Sequence, residues 1–251
     1  MHEILFQNSV ITIKTLNILL AIGFVFAGVF SIRYVEKHKM NLGFLTRSMI
    51  PLILSALFFG RLLYGLENYN LFQVNPMALL YIWDLNFSFF GMLFGGLIML
   101  HYLTRKNDED FWAWVDVVSL SCLSILIFVH LGYFFSGQNY GAPTSLPWGI
   151  TFDVSHIPYL SPLHPIQLYA FLLCIVLLAY SVDRSKRIHL SGVVGTRALM
   201  IYSLCMLGID FLRGDPSLYY YQKIAYGLLA ALSFIASIHC SHKSHTAKQL
   251  N

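Results

Sequence analysis

Charged residues are scarce in this chain. Asp, Glu, Lys and Arg make up 11% of its 251 residues, whereas an ordinary soluble domain carries roughly 25%. Hydrophobic residues reach 57%, so too few polar side chains remain to coat a compact soluble domain of this length. Such a composition also excludes an intrinsically disordered chain. The net charge of +4 is too small to indicate nucleic-acid binding, and no nucleic acid is expected as a partner.

Cysteine is rare as well, with four residues in the whole chain. Because Cys122, Cys174 and Cys205 lie in apolar runs and Cys240 follows the last run, we expect small buried hydrophobic residues rather than a disulfide framework. The signature motifs of zinc proteases, serine hydrolases, P-loop proteins and dinucleotide-binding enzymes are missing. A basic tail carries His239, His242 and His245, which support at most weak contact with a metal or an anionic lipid. The sequence therefore predicts no metal site and no cofactor.

Long apolar runs are what the chain has in abundance. A membrane-spanning helix needs about 20 mostly apolar residues, and seven runs approach that length between polar or Gly/Pro-rich stretches. They are Leu16–Tyr34, Ser48–Tyr64, Ser88–Leu103, Val115–Phe135, Pro165–Val182, Val193–Leu212 and Ile224–Ile238. The pattern contains no internal repeat and no boundary between domains. The sequence therefore predicts an all-α polytopic membrane protein, a single domain over residues 1–251 with seven transmembrane helices.

The basic residues indicate an orientation, because cytoplasmic loops of membrane proteins are enriched in Lys and Arg. One side of the predicted spans holds Lys14, Arg61, Arg213 and Lys223. The other side holds Arg33, Lys37, Lys39, Arg47, Arg105, Lys106, Arg184, Lys186, Arg187, Arg197, Lys243 and Lys248. We therefore expect the N-terminus outside and the C-terminus in the cytoplasm. The connection from Ser136 to Leu163, which contains no Lys or Arg, then lies outside.

Polar residues in or beside the spans gather toward the outer side, and such residues are functional candidates by default. Arg61 lies near the outer end of the second span. Its guanidinium either binds a lipid phosphate through two hydrogen bonds or extends to the headgroups as a structural residue. Arg213, at the end of the sixth span, is a second candidate for phosphate binding. The alternative for Arg213 is that Asp210 or Asp215 simply neutralises its charge.

The outer connection is rich in turn-forming residues between Ser136 and Gly149, which predicts a fixed, folded loop. Trp148 and Tyr140 in this loop are typical of the lipid headgroup zone. The loop leads into the fifth span, and at its start His164 and Gln167 share one helix face. We therefore interpret His164 either as a proton carrier or as a hydrogen-bonded anchor for the loop.

Several segments resemble the prolipoprotein diacylglyceryl transferases, a family of seven-span inner-membrane enzymes. They occur in the family's order and cover most of the chain. The most specific is His164-Pro165-Ile166-Gln167-Leu168-Tyr169, preceded by Pro147-Trp148. The others are Gly60-Arg61-Leu62 with Tyr64, the stretch from Ile82-Trp83-Asp84 to Ser88-Phe89 and Gly91, the loop Gly137–Trp148, and Phe211-Leu212-Arg213.

The resemblance implies a transferase that moves the diacylglyceryl group of phosphatidylglycerol onto the lipobox cysteine of an exported prolipoprotein and releases glycerol phosphate. It implies phosphatidylglycerol, membrane lipid and the prolipoprotein signal peptide as partners, and a multi-pass location in the bacterial plasma (inner) membrane. This reaction needs cations that hold the departing phosphate and a group that takes the thiol proton. The catalytic residues that the resemblance implies are His130, His164 and Arg213. The substrate-binding residues that it implies are Arg61, Gln138, Gln167 and Tyr169.

The chain departs from the family pattern at several positions. Phe90 stands where the family has His, and His130 stands where it has Arg. Tyr133 and Gln138 replace the family's Asn and Glu. An imidazole, unlike a guanidinium, carries charge only when it is protonated. Two interpretations follow: either His130 has taken over part of the arginine's task, or the chain is a catalytically degenerate paralogue that acts as a phospholipid-binding or interaction membrane protein.

Overall fold

The computed structural model describes residues 4–7, 12–81, 86–152, 154, 157–188, 190–214 and 219–249. Most of this part of the chain is helical: α1 (Thr15–Lys37), α2 (Leu42–Glu67), α3 (Tyr69–Val74), α4 (Phe89–Lys106), α5 (Phe111–Ser136), α6 (Ile166–Ser185), α7 (Val193–Asp210) and α8 (Tyr219–Gln249). A 3₁₀ helix, Pro76–Leu80, follows α3, and strand β1 (Ile4–Gln7) pairs antiparallel with β2 (Thr12–Lys14). The segment Ile82-Trp83-Asp84 and Asp215 lie outside the described residues.

Six helices are long and apolar enough to cross a membrane: α1, α2, α5, α6, α7 and Gln222–His242 within α8. The prediction of a helical membrane protein is therefore confirmed, and length and composition identify six candidate spans in the described ranges. The count of seven spans stays a prediction. The predicted span Ser88–Leu103 does form a helix, α4, which has 18 residues. Its last two turns contain His101, Arg105 and Lys106, and these residues lower the mean hydropathy of the whole helix.

Some helices extend beyond the predicted apolar runs. α2 begins at Leu42 rather than at Ser48, because Asn41 caps it: its side-chain oxygen accepts a hydrogen bond from the backbone N–H of Phe44 at 3.1 Å. α8 continues to Gln249, well past the predicted limit at Ile238. Apolar runs therefore locate the membrane-crossing part of a helix, and backbone hydrogen bonding decides where the helix ends.

Residues 34–115 form one compact unit. Its centre is the packing of α2 against α4, where small residues let the two backbones approach closely. A Cβ on Gly91 would lie 2.5 Å from the carbonyl oxygen of Phe59, and one on Gly95 would lie 2.7 Å from that of Ser55. The hydroxyl of Ser55 donates to the carbonyl oxygen of Gly95 at 2.9 Å. The G-x-x-x-G spacing on α4 thus sets the separation of the two helices.

Residues 1–33 and 116–251 form a second compact unit. Within it, α7 packs against α6 and α8. The carboxylate of Asp116 accepts hydrogen bonds from the backbone N–H groups of Gly192 at 2.8 Å and Gly195 at 2.5 Å. It thereby satisfies N–H groups that have no partner inside α7 and complements the positive end of the helix dipole. Both units are helical, and the prediction of a single domain stays a prediction.

Large apolar side chains are exposed along the spanning helices. Val25, Leu54, Val176 and Leu228 are exposed by 70%, 62%, 65% and 60%. In water this surface would cost hydrophobic free energy, whereas in a bilayer it contacts lipid tails. Buried positions in turn include hydroxyl residues such as Ser203, which donates to the carbonyl oxygen of Leu199 within its own helix at 2.6 Å. This inverted pattern is typical of a protein folded in lipid.

Candidate functional site

The connection between α5 and α6 is a folded loop whose backbone pairs with the segment after α7 and with the loop's own end before α6. The N–H of Ala142 donates to the carbonyl oxygen of Leu212 at 2.8 Å. The N–H of Gly214 donates to the carbonyl oxygen of Tyr140 at 3.1 Å. On the other side of the loop, the N–H of His164 donates to the carbonyl oxygen of Ala142 at 3.0 Å. The loop therefore joins the start of α6 to the end of α7.

A small hydrophobic core stabilises this loop. Phe134, near the end of α5, packs against it with a ring centroid 6.0 Å from that of Phe152. The fixed loop that the turn residues predict is thus present. Tyr140 is a buried core residue of the loop, whereas Trp148 is 55% exposed, and the headgroup-zone position of both stays a prediction. The buried members of this core are Tyr140, Phe152, Ile157 and Leu163.

Two positions in the loop require special backbone properties. Asn139 has a φ of 52°, in the left-handed region that Asn adopts more readily than most other residues with a side chain. Gly141 lies against the backbone of His164. A Cβ at position 141 would lie 2.6 Å from the Cβ of His164 and still closer to its carbonyl oxygen. The pairing of the loop with the start of α6 therefore requires glycine at position 141.

Arg213 is buried where the end of α7 meets the loop, and its side chain is 8% exposed. Its Nη2 donates to Oδ1 of Asn139 at 2.5 Å. Its Nη1 donates to the side-chain oxygen of Gln222 and lies 3.4 Å from Oδ1 of Asp210. The ion pair with Asp210 is one of the two alternatives that the sequence offers for Arg213. Side chains from three different segments thus fix the orientation of this guanidinium.

Three side chains at the start of α6 and in the loop form a hydrogen-bonded chain. Nε1 of Trp148 donates to the hydroxyl of Tyr169 at 2.8 Å. Nδ1 of His164 lies 3.4 Å from the same hydroxyl. The imidazole is half-buried and lies beside a group that can pass on a proton. The backbone of His164 meanwhile anchors the loop, so the geometry is compatible with both interpretations of this residue.

Gln167 and Gln138 contact each other through a side chain and a backbone group. Nε2 of Gln167 donates to the carbonyl oxygen of Gln138 at 2.8 Å. Gln167 is 2% exposed, and its Oε1 has no hydrogen-bond partner within the part of the chain that the structure describes. An unpaired buried acceptor costs about 1–3 kcal/mol. The side chain of Gln138 is exposed.

His130 is buried in α5 beside tyrosines. Its Nε2 lies 3.4 Å from the hydroxyl of Tyr202, and Tyr202 is hydrogen-bonded to Tyr226. Tyr226 and Tyr133 lie within electrostatic range of Arg213. Tyrosine hydroxyls thus connect His130 to the surroundings of Arg213, in the same unit of the protein.

Arg61 belongs to the other unit and is 6% exposed. Its guanidinium carbon lies at cation–π distance from three rings: 5.6 Å from the ring centroid of Tyr64 and 5.9 Å from those of Phe72 and Phe87. At least four of its N–H groups donate to the connection between α2 and α4, which favours an anchoring role. The prediction that Arg61 binds a lipid phosphate stays a prediction. The carbonyl acceptors are Leu79 at 2.9 Å, Asn86 at 2.7 Å, Ala78 at 2.7 Å and Tyr81 at 2.8 Å.

Sequence reasoning names Asp210 as a partner of Arg213, but it misses the other side chains that contact Arg213 and His130. Asn139 is hidden in a run of turn residues, and no motif singles out Tyr202. A usable signal exists in α8, where Gln222 and Tyr226 are four residues apart. This spacing places two polar side chains on one face of an apolar helix, and such a face inside a membrane protein is a functional candidate.

A bundle of membrane-crossing helices with a buried, oriented arginine beside a paired loop defines a multi-pass membrane protein with a polar site at one end of its helices. The family model for prolipoprotein diacylglyceryl transferase matches residues 3–241. This match covers nearly the whole chain. The chain belongs to the prolipoprotein diacylglyceryl transferase family, as the resemblance of its motifs implies.

Relatives from several bacteria agree with this assignment, and each is named phosphatidylglycerol–prolipoprotein diacylglyceryl transferase. The protein from Clostridium tetani (strain Massachusetts / E88) is 30% identical over 221 residues, which are 86% of this chain and 87% of the relative. The protein from Nitratidesulfovibrio vulgaris (strain DSM 19637 / Miyazaki F) is 34% identical over 179 residues, 68% of this chain and 65% of the relative. The protein from Polynucleobacter asymbioticus is 32% identical over 194 residues, 72% of this chain and 71% of the relative.

Proposed function

We propose that this protein transfers the diacylglyceryl group of phosphatidylglycerol to the lipobox cysteine of an exported prolipoprotein. The thiolate sulfur attacks the carbon of the diacylglyceryl group that is bonded to the phosphate oxygen. A carbon–sulfur bond forms, the carbon–oxygen bond breaks, and glycerol phosphate leaves with the bonding electron pair. Family membership over residues 3–241 is the observation that carries this proposal.

Arg213 is the proposed holder of the phosphate. As the carbon–oxygen bond breaks, the phosphate changes from a diester with one negative charge to a monoester with two. A guanidinium already fixed in place stabilises that charge without reorganisation, and a donor of this kind contributes about 10²–10³ in rate. Asn139 and Gln222 are neutral acceptors, so a charged phosphate oxygen can displace either of them from Arg213.

His164 is the proposed acceptor of the thiol proton. The imidazole is half-buried, so a peptide thiol can reach it. Tyr169 and Trp148 hold the ring through their shared hydrogen bonds. The proton then passes through Tyr169 to the departing glycerol phosphate or to water. Tyr169 therefore both orients the base and belongs to the substrate-binding set.

The two glutamines are proposed substrate-binding residues. The buried Oε1 of Gln167 can accept a hydrogen bond from a glycerol hydroxyl, which would recover the cost of leaving this atom unpaired. Gln138 offers its exposed side chain at the same loop. Arg61 is proposed as a positioning residue, because its donors hold backbone carbonyls.

His130 is the proposed second cation of the phosphate site. It stands where the resemblance implies an arginine, and the hydroxyls of Tyr202 and Tyr226 link it toward Arg213. Only the protonated imidazole stabilises a developing phosphate dianion. Two observations support this role: the hydrogen-bonded contact of His130 with Tyr202, and its position in the motif where the resemblance implies an arginine.

The proposed location is the bacterial inner membrane, with seven spans, the N-terminus outside and the C-terminus in the cytoplasm. In this arrangement α4 crosses the membrane in addition to the six candidate spans. Arg105 and Lys106 at its end lie in the cytoplasmic headgroup zone, where Lys and Arg are favoured. The paired loop then faces the side on which exported prolipoproteins arrive. Phosphatidylglycerol enters from the surrounding lipid.

Transfer in living cells tests the proposal. The full chain is expressed in bacteria depleted of their own diacylglyceryl transferase, and a reporter prolipoprotein is followed by gel shift and intact mass. We expect the mass to rise by one diacylglyceryl group. A reporter whose lipobox cysteine is replaced by serine should stay unmodified. An unmodified cysteine reporter, with the protein inserted in the membrane and phosphatidylglycerol bound, would instead identify a phospholipid-binding paralogue without transferase activity.

A further inference from the structure

We propose that a groove between α6, α7 and α8 is a second lipid site, which binds an anionic glycerophospholipid that is not consumed in the transfer reaction. The groove has a volume of about 320 Å³, within the range of small-ligand sites. Its polar side consists of Arg197, Ser237, Ser241 and His242, and its apolar wall includes Phe234 and Ile238.

This groove lies at the opposite end of α7 from the proposed transfer site. Arg197 is in the first two turns of the helix, whereas Asp210 is its last residue. A rise of 1.5 Å per residue separates the two positions by about 20 Å along the helix axis. The groove therefore does not share its phosphate-binding groups with Arg213.

Arg197 has the geometry of a phosphate-binding residue. Its Nε donates to the hydroxyl of Ser237 at 3.4 Å, which orients the guanidinium across the groove. Within the described ranges its two terminal nitrogens have no hydrogen-bond partner, and the side chain is exposed. A guanidinium fixed at Nε with both terminal nitrogens available can bind two phosphate oxygens at once.

A second cation adjoins the groove. Arg184 lines a neighbouring cavity of about 180 Å³ together with Arg197, and its guanidinium carbon lies 5.1 Å from the ring centroid of Tyr180. The nearby carboxylate of Asp183 is paired with Arg187 at 3.2 Å. In the part of the chain that the structure describes, neither Arg184 nor Arg197 has an acidic partner, so this surface is complementary to an anion.

The apolar wall identifies the anion as a lipid. Phe234 is 53% exposed and Ile238 is 43% exposed, and both lie within the membrane-crossing part of α8. A free phosphate ion would leave this wall uncovered, whereas the acyl chains of a phospholipid would cover it. In the proposed orientation this end of the helices is cytoplasmic, where anionic lipids are attracted by clustered Lys and Arg.

Native mass spectrometry of the full chain in detergent tests this site. The protein is titrated with phosphatidylglycerol and, separately, with phosphatidylethanolamine of the same acyl chains. We expect Arg197→Gln to weaken one phosphatidylglycerol binding step about tenfold, because one charge-assisted contact is lost. Phosphatidylethanolamine binding should change little. Arg187→Gln, at the same end but paired with Asp183, is the matched control and should behave like the wild type.

Transfer activity separates this site from the transfer site. Arg197→Gln should keep the wild-type rate of transfer to a lipobox peptide. Its weaker binding of phosphatidylglycerol is measured without turnover, so that result holds whether or not the proposed reaction is correct. Ser241→Phe, which fills the groove and keeps the arginine, should lose the same binding step. The proposal is overturned if Arg197→Gln and Ser241→Phe bind phosphatidylglycerol as the wild type does, or if the wild type binds both lipids equally. Binding of glycerol phosphate alone with equal affinity would overturn it in favour of a simple phosphate site.

Discussion

Arg213 donates a hydrogen bond from Nη2 to Oδ1 of Asn139 at 2.5 Å, although 74 positions separate the two residues in the chain. The contact joins the end of α7 to the loop between α5 and α6. Asn139 reaches it from a left-handed backbone conformation with a φ of 52°. The loop therefore does more than connect two spans, because its fold decides where the buried guanidinium lies.

Replacement of Arg213 by lysine should slow transfer about a hundredfold. Lysine keeps the positive charge but loses the planar pair of donors that phosphate requires. The measurement is the single-turnover rate on a lipobox peptide with phosphatidylglycerol in detergent micelles. Arg187→Lys, which alters an exposed ion pair, should keep the wild-type rate. A wild-type rate for Arg213→Lys would show that Arg213 is a structural residue neutralised by Asp210.

Gly141→Ala should disrupt the paired loop. The added methyl group would overlap the backbone of His164, and a displacement of about 1 Å at a reacting group costs roughly a hundredfold in rate. We expect faster cleavage of residues 137–165 in limited proteolysis and a matching loss of transfer. Gly208→Ala is the control, because a Cβ at position 208 meets nothing within 4 Å. Equal proteolysis of the two variants would contradict the requirement for glycine at position 141.

Arg61→Met should loosen the connection between α2 and α4. Removal of the guanidinium leaves buried carbonyl groups unpaired, at a cost of at least about 2 kcal/mol. Hydrogen exchange should accelerate in Tyr69–Val74 and Pro76–Leu80. Arg47→Met is the control, because Arg47 is exposed on the same helix and its Nε donates to the carbonyl oxygen of Gly43. It should leave hydrogen exchange in these two segments unchanged. Unchanged exchange in Arg61→Met, together with weaker phosphatidylglycerol binding, would favour the phosphate-binding role over the anchor.

Gly95→Ala should destabilise the packing of α2 against α4. A Cβ at position 95 would lie 2.6 Å from Cβ of Phe59, and overpacking of this kind typically costs about 1–3 kcal/mol. The adjacent Gly96 is a matched control, because a Cβ there meets nothing within 4 Å. Gly96→Ala should be neutral or stabilising by up to about 1 kcal/mol, since alanine is the better helix former. Thermal unfolding in detergent measures the stability of both variants. Equal unfolding midpoints would show that α2 and α4 can move apart to accept the added methyl group without a loss of stability.

Single cysteines at Ser145 and Lys186 test the proposed orientation. Both positions are exposed, so accessibility to reagent is governed by the side of the membrane. In intact cells an impermeant thiol reagent should label Ser145→Cys and leave Lys186→Cys unlabelled until the membrane is opened. The unmodified chain, with its four native cysteines, gives the background. Labelling of Lys186→Cys alone would reverse the orientation and move the proposed transfer site to the cytoplasmic side.

The sequence by itself determined the class of protein and the motifs of the site. Hydropathy is a local property, so runs such as Leu16–Tyr34 mark membrane helices without reference to any partner. The turn residues between Ser136 and Gly149 likewise predicted a folded loop, since turn chemistry is decided within a few residues. His164 and Tyr169 are close in the chain on either side of the start of α6, and Nδ1 of His164 lies 3.4 Å from the hydroxyl of Tyr169.

Only the tertiary structure decided what the arginines contact. The hydrogen-bond partners of a buried guanidinium come from segments that are distant in the chain, and hydropathy carries no information about them. Arg213 is held by Asn139, Gln222 and Asp210, whereas Arg61, which looks equivalent in the sequence, is held by backbone carbonyls. Tyr140 similarly proved to be a core residue, because its burial depends on Phe152 and Leu163 and not on its own neighbours. Long-range packing and backbone pairing therefore assign the roles that local sequence patterns leave open.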